Sequence, residues 1–152
     1  MLPVFKLTTA TTLLALTVPA FQQEVKGVLE VDAATGIAFL HVHPSSSAGF
    51  RIGFALPVGS AGDVILQITT PLNGDGSGWG GVALTSGGMR GGLLVASWPD
   101  AAGNVTTLPL LTDRYASPIP VHPDVSVAQI QTGTYTNATH LTSTFFCPSC
   151  LH

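Results

Sequence analysis

The sequence predicts an all-β fold, a sandwich or a barrel. After residue 21 no stretch holds a 3.6-residue apolar period for three turns. Apolar runs of five to eight residues recur instead, separated by clusters of Gly, Pro, Asn, Asp and Ser. The expected strands run from Gly36 to Val42, Phe50 to Leu56, Asp63 to Thr69, Trp79 to Thr85, Gly92 to Trp98, Ser126 to Gln131 and Leu141 to Phe146. Their spacing is that of sandwiches and barrels. Between them lie turn formers such as Pro44 to Ser47, Pro57 to Gly62, Pro71 to Gly78 and Ser117 to Pro123; Asn73-Gly74 and Asp75-Gly76 favour positive φ. No internal repeat and no second domain is visible.

Ahead of these strands, Lys6 precedes an uncharged stretch from Leu7 to Ala20 that closes on Val18-Pro19-Ala20. A single cation, a short apolar core and small residues before a cleavage point read as a signal peptide, residues 1–20, leaving 21–152 as one domain. The apolar core is too short for a bilayer of ~30 Å. Its removal leaves Lys26, Arg51, Arg90 and Arg114 against eight acids, a net charge of −4. Nothing there releases counterions from phosphate, so nucleic acid is excluded as a partner. The charged fraction is 9%, far below the ~25% of ordinary soluble domains. A weakly charged surface rich in Gly, Ser, Thr and Pro suits a secreted protein. The sequons Asn104-Val105-Thr106 and Asn137-Ala138-Thr139 mark Asn104 and Asn137 as glycosylation acceptors in loops.

The segment from Ser77 to Trp98 carries the most chemical information. It reads as two strands joined by the glycine-rich loop Ser86-Gly87-Gly88-Met89-Arg90-Gly91-Gly92. Met89 stands among glycines that cannot shield it, so its soft sulfur can approach a flat cofactor and ligate haem iron. From composition alone Met89 reads rather as a core-filling methionine, since Met commonly plugs irregular gaps. Trp79 and Trp98 either fill the sandwich or pack around the same site. Cys147-Pro148-Ser149-Cys150 holds the two cysteines of the chain. In a secreted protein they are expected to pair with each other; the other readings are a thioredoxin-like redox motif, which needs a strand-to-helix setting, and half of a zinc site. His41 and His43 alternate along one strand and so share a face, a possible metal pair, but without a third ligand they read as surface residues. His122 and His140 are expected in or beside loops and solvated. No Gly-x-Ser-x-Gly elbow and no inter-strand acid pair supports a hydrolase.

The run Trp79-Gly80, then Gly87-Gly88-Met89, Leu93-Leu94-Val95-Ala96 and Trp98 resembles the haem-ligand segment of the cytochrome domain of cellobiose dehydrogenases and related iron reductases. Thr35-Gly36-Ile37-Ala38-Phe39 and Gly53-Phe54-Ala55-Leu56-Pro57 are similar to that family's opening strands, and the Cys-x-x-Cys falls at the family's place. The resemblance spans roughly residues 27 to 150. It implies an antiparallel, immunoglobulin-like β-sandwich holding a b-type haem, with Met89 as one axial ligand and a histidine as the other. By the same resemblance a flavin dehydrogenase domain or protein supplies electrons, and a copper polysaccharide monooxygenase, a quinone or ferric iron receives them. The family's axial histidine lies well beyond the Cys-x-x-Cys, after further strands, whereas this chain ends two residues past Cys150 and His152 sits too near the disulfide. The expectation is a module truncated at its C-terminus or one whose haem site has decayed. The competing function is a haem-free secreted sandwich that binds carbohydrate through an exposed Trp.

Overall fold

The computed structural model describes residues 27–44, 49–84, 92–112 and 119–151. Its strands are β1 (Gly27–Val31), β2 (Ala38–Val42), β3 (Arg51–Ala55), β4 (Val64–Pro71), β5 (Gly80–Ala83), β6 (Gly92–Pro99), β7 (Val105–Thr112), β8 (Ala128–Gln129), β9 (Tyr135–Thr136) and β10 (His140–Cys147). Two antiparallel sheets face each other. The larger has the order β1-β2-β3-β4-β10-β8, with β9 also along β10; the smaller is β5-β6-β7. The expected antiparallel sandwich is what the chain forms.

Alternation along the central strands builds two environments at once, because successive strand side chains point to opposite faces. Val64, Leu66 and Ile68 of β4 and Phe145 and Cys147 of β10 meet Val82 of β5 and Leu93 and Val95 of β6 in one buried cluster. Each such side chain contributes about 1.5–3 kcal/mol on burial. Phe50, Ile52, Phe54, Val125 and Val127 close its margins. Beside this core, Thr107 of β7 bonds Ser97 of β6 (3.0 Å) and Ser143 of β10 (2.7 Å), and Gln129 of β8 donates to the same hydroxyl at 3.1 Å. These hydroxyls cross the sandwich without an orphan: among the described residues no buried side-chain nitrogen or oxygen lacks a partner.

Five of the expected strands match within a residue or two: β3, β4, β5, β6 and β10. The first begins two residues later, at Ala38, because 33–35 form a turn after Asp32. The expected strand from Ser126 to Gln131 shrinks to Ala128–Gln129, and β1, β7 and β9 were not anticipated. Pro109 and the sequon argue against a strand in β7, yet Pro109 pairs with Val95. A missing N–H is tolerated because β7 is the last strand of its sheet. The proline carbonyl accepts from the His122 N–H at 2.8 Å, and a single bridge joins Leu110 to Val121.

At the end of β10, Cys147 and Cys150 form the expected disulfide, both buried. Ser149 between them has φ 55°, and its N–H donates to Asp63 Oδ1 at 2.8 Å. Both sulfurs are buried at the end of a strand, so the pair acts as a structural staple.

Phe145 is fully buried at the centre of the core. Phe145→Ala is expected to cost about 3–5 kcal/mol, read as a lowered urea midpoint with an unchanged slope.

Candidate cofactor-binding site

The smaller sheet turns Leu93, Val95 and Ser97 toward the core, so Leu94, Ala96 and Trp98 occupy its outer face. There they line a cavity of about 550 Å³ with Trp79, Leu110 and Ile119, bordered by Asn73 and Ser77. The volume falls in the ~300–1,000 Å³ range of small-molecule sites. Gly81 is required by the close approach: a Cβ there would stand 3.1 Å from Leu94 Cδ1 and 3.3 Å from the Trp79 ring. Trp79 can therefore lie along the sheet, while remaining 64% exposed. Among the described residues no titratable side chain lines the cavity. It can hold a flat apolar group between walls of aliphatic and indole carbon.

The cavity belongs to the β5–β6 hairpin, whose connection carries Met89. The ladder holds as far as Leu84 N–H to Leu93 O, 2.9 Å. Met89 itself lies outside the described residues, as do residues 1–26, His152 and the two loop arginines, Arg90 and Arg114. Of the residues singled out in the sequence, Trp79 and Trp98 are brought together on the cavity. The histidines are not. Among the described residues no group of three His, Cys, Asp or Glu side chains is placed to hold a metal ion. Apolar walls suited to a haem are thus present, while no described histidine borders them.

His41 corrects the sequence reading. It is 2% exposed, not a surface residue. It points to the face of the larger sheet away from the core, with its ring stacked on Phe39 at 5.7 Å between centroids. Its Nδ1 lies 3.1 Å from Glu30 Oε2 and its Nε2 3.2 Å from Gln67 Oε1. Gln67 Nε2 donates onward to Asp32 Oδ2 and Thr144 Oγ1, both at 3.1 Å, and Thr144 donates to the Gly133 carbonyl at 2.7 Å. Arg51 donates to the same Glu30 oxygen at 3.2 Å. The arrangement depends on Gly53, where a Cβ would fall 2.5 Å from the His41 ring. Both ring nitrogens are occupied, so His41 is a structural tie and His43, exposed, does not join it in a metal pair. The sequence signal was available: Gln67 interrupts an otherwise apolar strand, and an interrupted strand asks for a polar partner.

Asp32 anchors the same network. Burial pushes its carboxyl up, but hydrogen bonds from Gln67, Thr35 and the Ala34 backbone outweigh that and hold it below the ordinary 3.8. His122 and His140 are half-buried rather than fully solvated. His122 Nδ1 accepts from the Asp124 N–H at 3.2 Å; His140 Nδ1 meets Thr139 Oγ1 at 2.8 Å. Asn104 and Asn137 are both exposed.

The described residues thus form an antiparallel β-sandwich with an apolar cavity on the outer face of its smaller sheet. The family model for the cytochrome domain of cellobiose dehydrogenase matches residues 31–152, and the chain belongs to that family. Among solved structures it is similar to the cytochrome domain of Myriococcum thermophilum cellobiose dehydrogenase. That likeness has 28% identity and a TM-score of 0.71, covering 84% of this chain and 64% of the other. The chain therefore spans just under two thirds of that relative's length. No curated protein matches it. No helix among the described residues is long and apolar enough to cross a membrane.

Two outcomes follow. His41→Leu leaves the Gln67 carbonyl and Glu30 without their shared partner and should cost about 1–3 kcal/mol in chemical unfolding. A group whose folded value is lowered stabilises above its unfolded value and loses that contribution as pH falls. Asp32 therefore adds stability at neutral pH that fades below about 3.8. Asp32→Asn should flatten the fall in melting temperature over that acid range.

Proposed function

We propose that this chain is an extracellular b-haem electron-transfer module, with Met89 as one axial ligand of the iron. The observation that carries the reading is the match to the cytochrome domain family over residues 31–152. It is supported by the position of the apolar cavity, on the outer face of the hairpin whose connection contains Met89. Bound haem supplies one-electron chemistry at its iron; the protein's part is ligation, burial and tuning. Leu94, Ala96, Leu110 and Ile119 supply an apolar wall that excludes water, and Trp79 and Trp98 supply flat faces at its border. A thioether ligand and a dry wall both disfavour the extra charge of ferric iron, which raises the reduction potential.

The donor would be a flavin dehydrogenase domain or a separate flavoprotein, and the acceptor a copper polysaccharide monooxygenase or ferric iron. The low charge, the two sequons and the leader-like residues 1–20 support secretion.

A second reading rests on one specific feature. Trp79 is 64% exposed beside Asn73 and Ser77, an indole face next to an amide and a hydroxyl, which is what a pyranose ring stacks and bonds against. In that case the domain holds carbohydrate and no haem.

Absorbance separates the two. With haem bound, a Soret band sharpens on dithionite reduction; Met89→His lowers the reduction potential, and Met89→Ala opens a coordination position that takes up added imidazole. Unchanged spectra and potential in both variants would make Met89 ordinary packing. Ala96→Phe, which fills the cavity and leaves Met89 in place, should lower haem retention several-fold on a desalting column. Colourless protein retained on cellulose, and released by Trp79→Ala, supports the carbohydrate reading instead.

A further inference from the structure

A second cavity, unrelated to the first, lies where the β6–β7 turn meets β8, β9 and the 3-10 turn Gln131–Gly133. Its volume is about 380 Å³, and Asn104, Gln129, Gln131, Thr134 and Tyr135 line it. We propose that this cavity is a cradle for the first N-acetylglucosamine of a glycan attached to Asn104.

Three features of the turn and the cavity point there. Asn104 is both a lining residue of the cavity and the acceptor of the Asn104-Val105-Thr106 sequon, so an attached sugar starts at the cavity wall. Its side chain is also held in place. Asp100 Oδ1 accepts from the Asn104 backbone N–H at 2.9 Å, and Asp100 Oδ2 accepts from Asn104 Nδ2 at 3.2 Å. These bonds keep the Asp100 carboxyl below its ordinary value, so it remains an acceptor throughout the neutral range. A primary amide has two N–H bonds, so one can stay on Asp100 while a sugar replaces the other. In that transfer the Asn104 Nδ2–C1 bond forms, the bond from C1 to the pyrophosphate of a lipid-linked sugar donor breaks, and the amide proton leaves with the pyrophosphate.

The opposite wall suits a sugar. Tyr135 lines the cavity and is 49% exposed, and an aromatic ring there can pack against pyranose carbons. Gln131 uses Nε2 on Gln129 Oε1 at 3.3 Å, which leaves its carbonyl oxygen for a hydroxyl or acetamido N–H. The cradle is rigid: Gln129 donates to the Val105 carbonyl at 2.7 Å, and Thr136 Oγ1 donates to the Gly103 carbonyl at 2.9 Å. Asn137, the other sequon, lines neither cavity and serves as the internal comparison. The inference requires passage through a secretory pathway but not haem, so it stands or falls separately from the electron-transfer reading.

The test expresses the full chain in a secreting yeast and trims its glycans to a single N-acetylglucosamine. Peptide mass should show that sugar at Asn104. The trimmed protein should melt about 2–4 °C above Thr106→Val, which removes the sequon but keeps a strand-forming residue. In bacterially made protein, which carries no glycan, Thr106→Val should change nothing. Tyr135→Ala and, separately, Gln131→Ala should shrink the glycan-dependent shift, while Thr139→Val, which silences Asn137, should leave it intact. An unmodified Asn104, a glycan that does not alter melting, or a shift that persists in both cavity variants would overturn the proposal.

Discussion

The pairing of β4 with β10, eight residues against eight from His140↔Pro71 to Cys147↔Val64, is the constraint on which the rest depends. One set of alternate side chains from this pair forms the floor of the hydrophobic core, and the other set, through Gln67 and Thr144, forms the buried polar network of the opposite face. A slip of one residue would exchange the two sets. It would put Gln67 against the smaller sheet and Ile68 against His41, and neither face could be satisfied.

That register is secured from both sides. Toward the smaller sheet, the Ser97–Thr107–Ser143 hydroxyls fix which part of β10 lies over β7. On the far face, Asp32 reaches Gln67 from just past the end of β1, although β2 and β3 lie between β1 and β4 in the hydrogen-bonded order. The sheet must coil for that to happen, and Gly53 gives the His41 ring the space to lie across β3. The disulfide then closes the end of β10 where Cys147 enters the core. A buried polar network of this kind costs more than an apolar face if any member is lost, which is why it specifies one arrangement so strongly.

The smaller sheet is left with one face on the core and one face open. Three strands cover only part of the larger sheet, and Leu29, Val31 and Leu40 on β1 and β2 remain 72%, 68% and 47% exposed. The open face of β5-β6-β7 is where the cavity forms, because Gly81 lowers the floor and the two tryptophans raise the walls. A cofactor placed there would touch strands whose other side is the rigid core, so the wall would hold its position as an electron-transfer site requires.

Fold class and strand positions were largely legible in the sequence because apolar runs and turn residues are local: Gly92 to Trp98 carries the unbroken apolar run Leu93-Leu94-Val95-Ala96, and Gly and Pro mark its ends. The disulfide was legible because only two cysteines exist. The family resemblance rested on contiguous residues around Met89, and the family match agrees with it. What local pattern could not carry was pairing. Pro109 is unfavourable in a central strand, and it is accommodated because β7 is the last strand of its sheet, where its missing N–H costs no ladder bond. His41 looked like a surface residue until β1 and β4 brought Glu30 and Gln67 to its two nitrogens, from positions 11 and 26 residues away. The cavity is likewise assembled from Trp79, Leu94 and Ile119, residues that become neighbours only when strands far apart in sequence align. The sequence by itself determined which apolar runs become the core strands; the tertiary structure decided the remaining strands and which faces meet, because burial and hydrogen-bond satisfaction are properties of pairs.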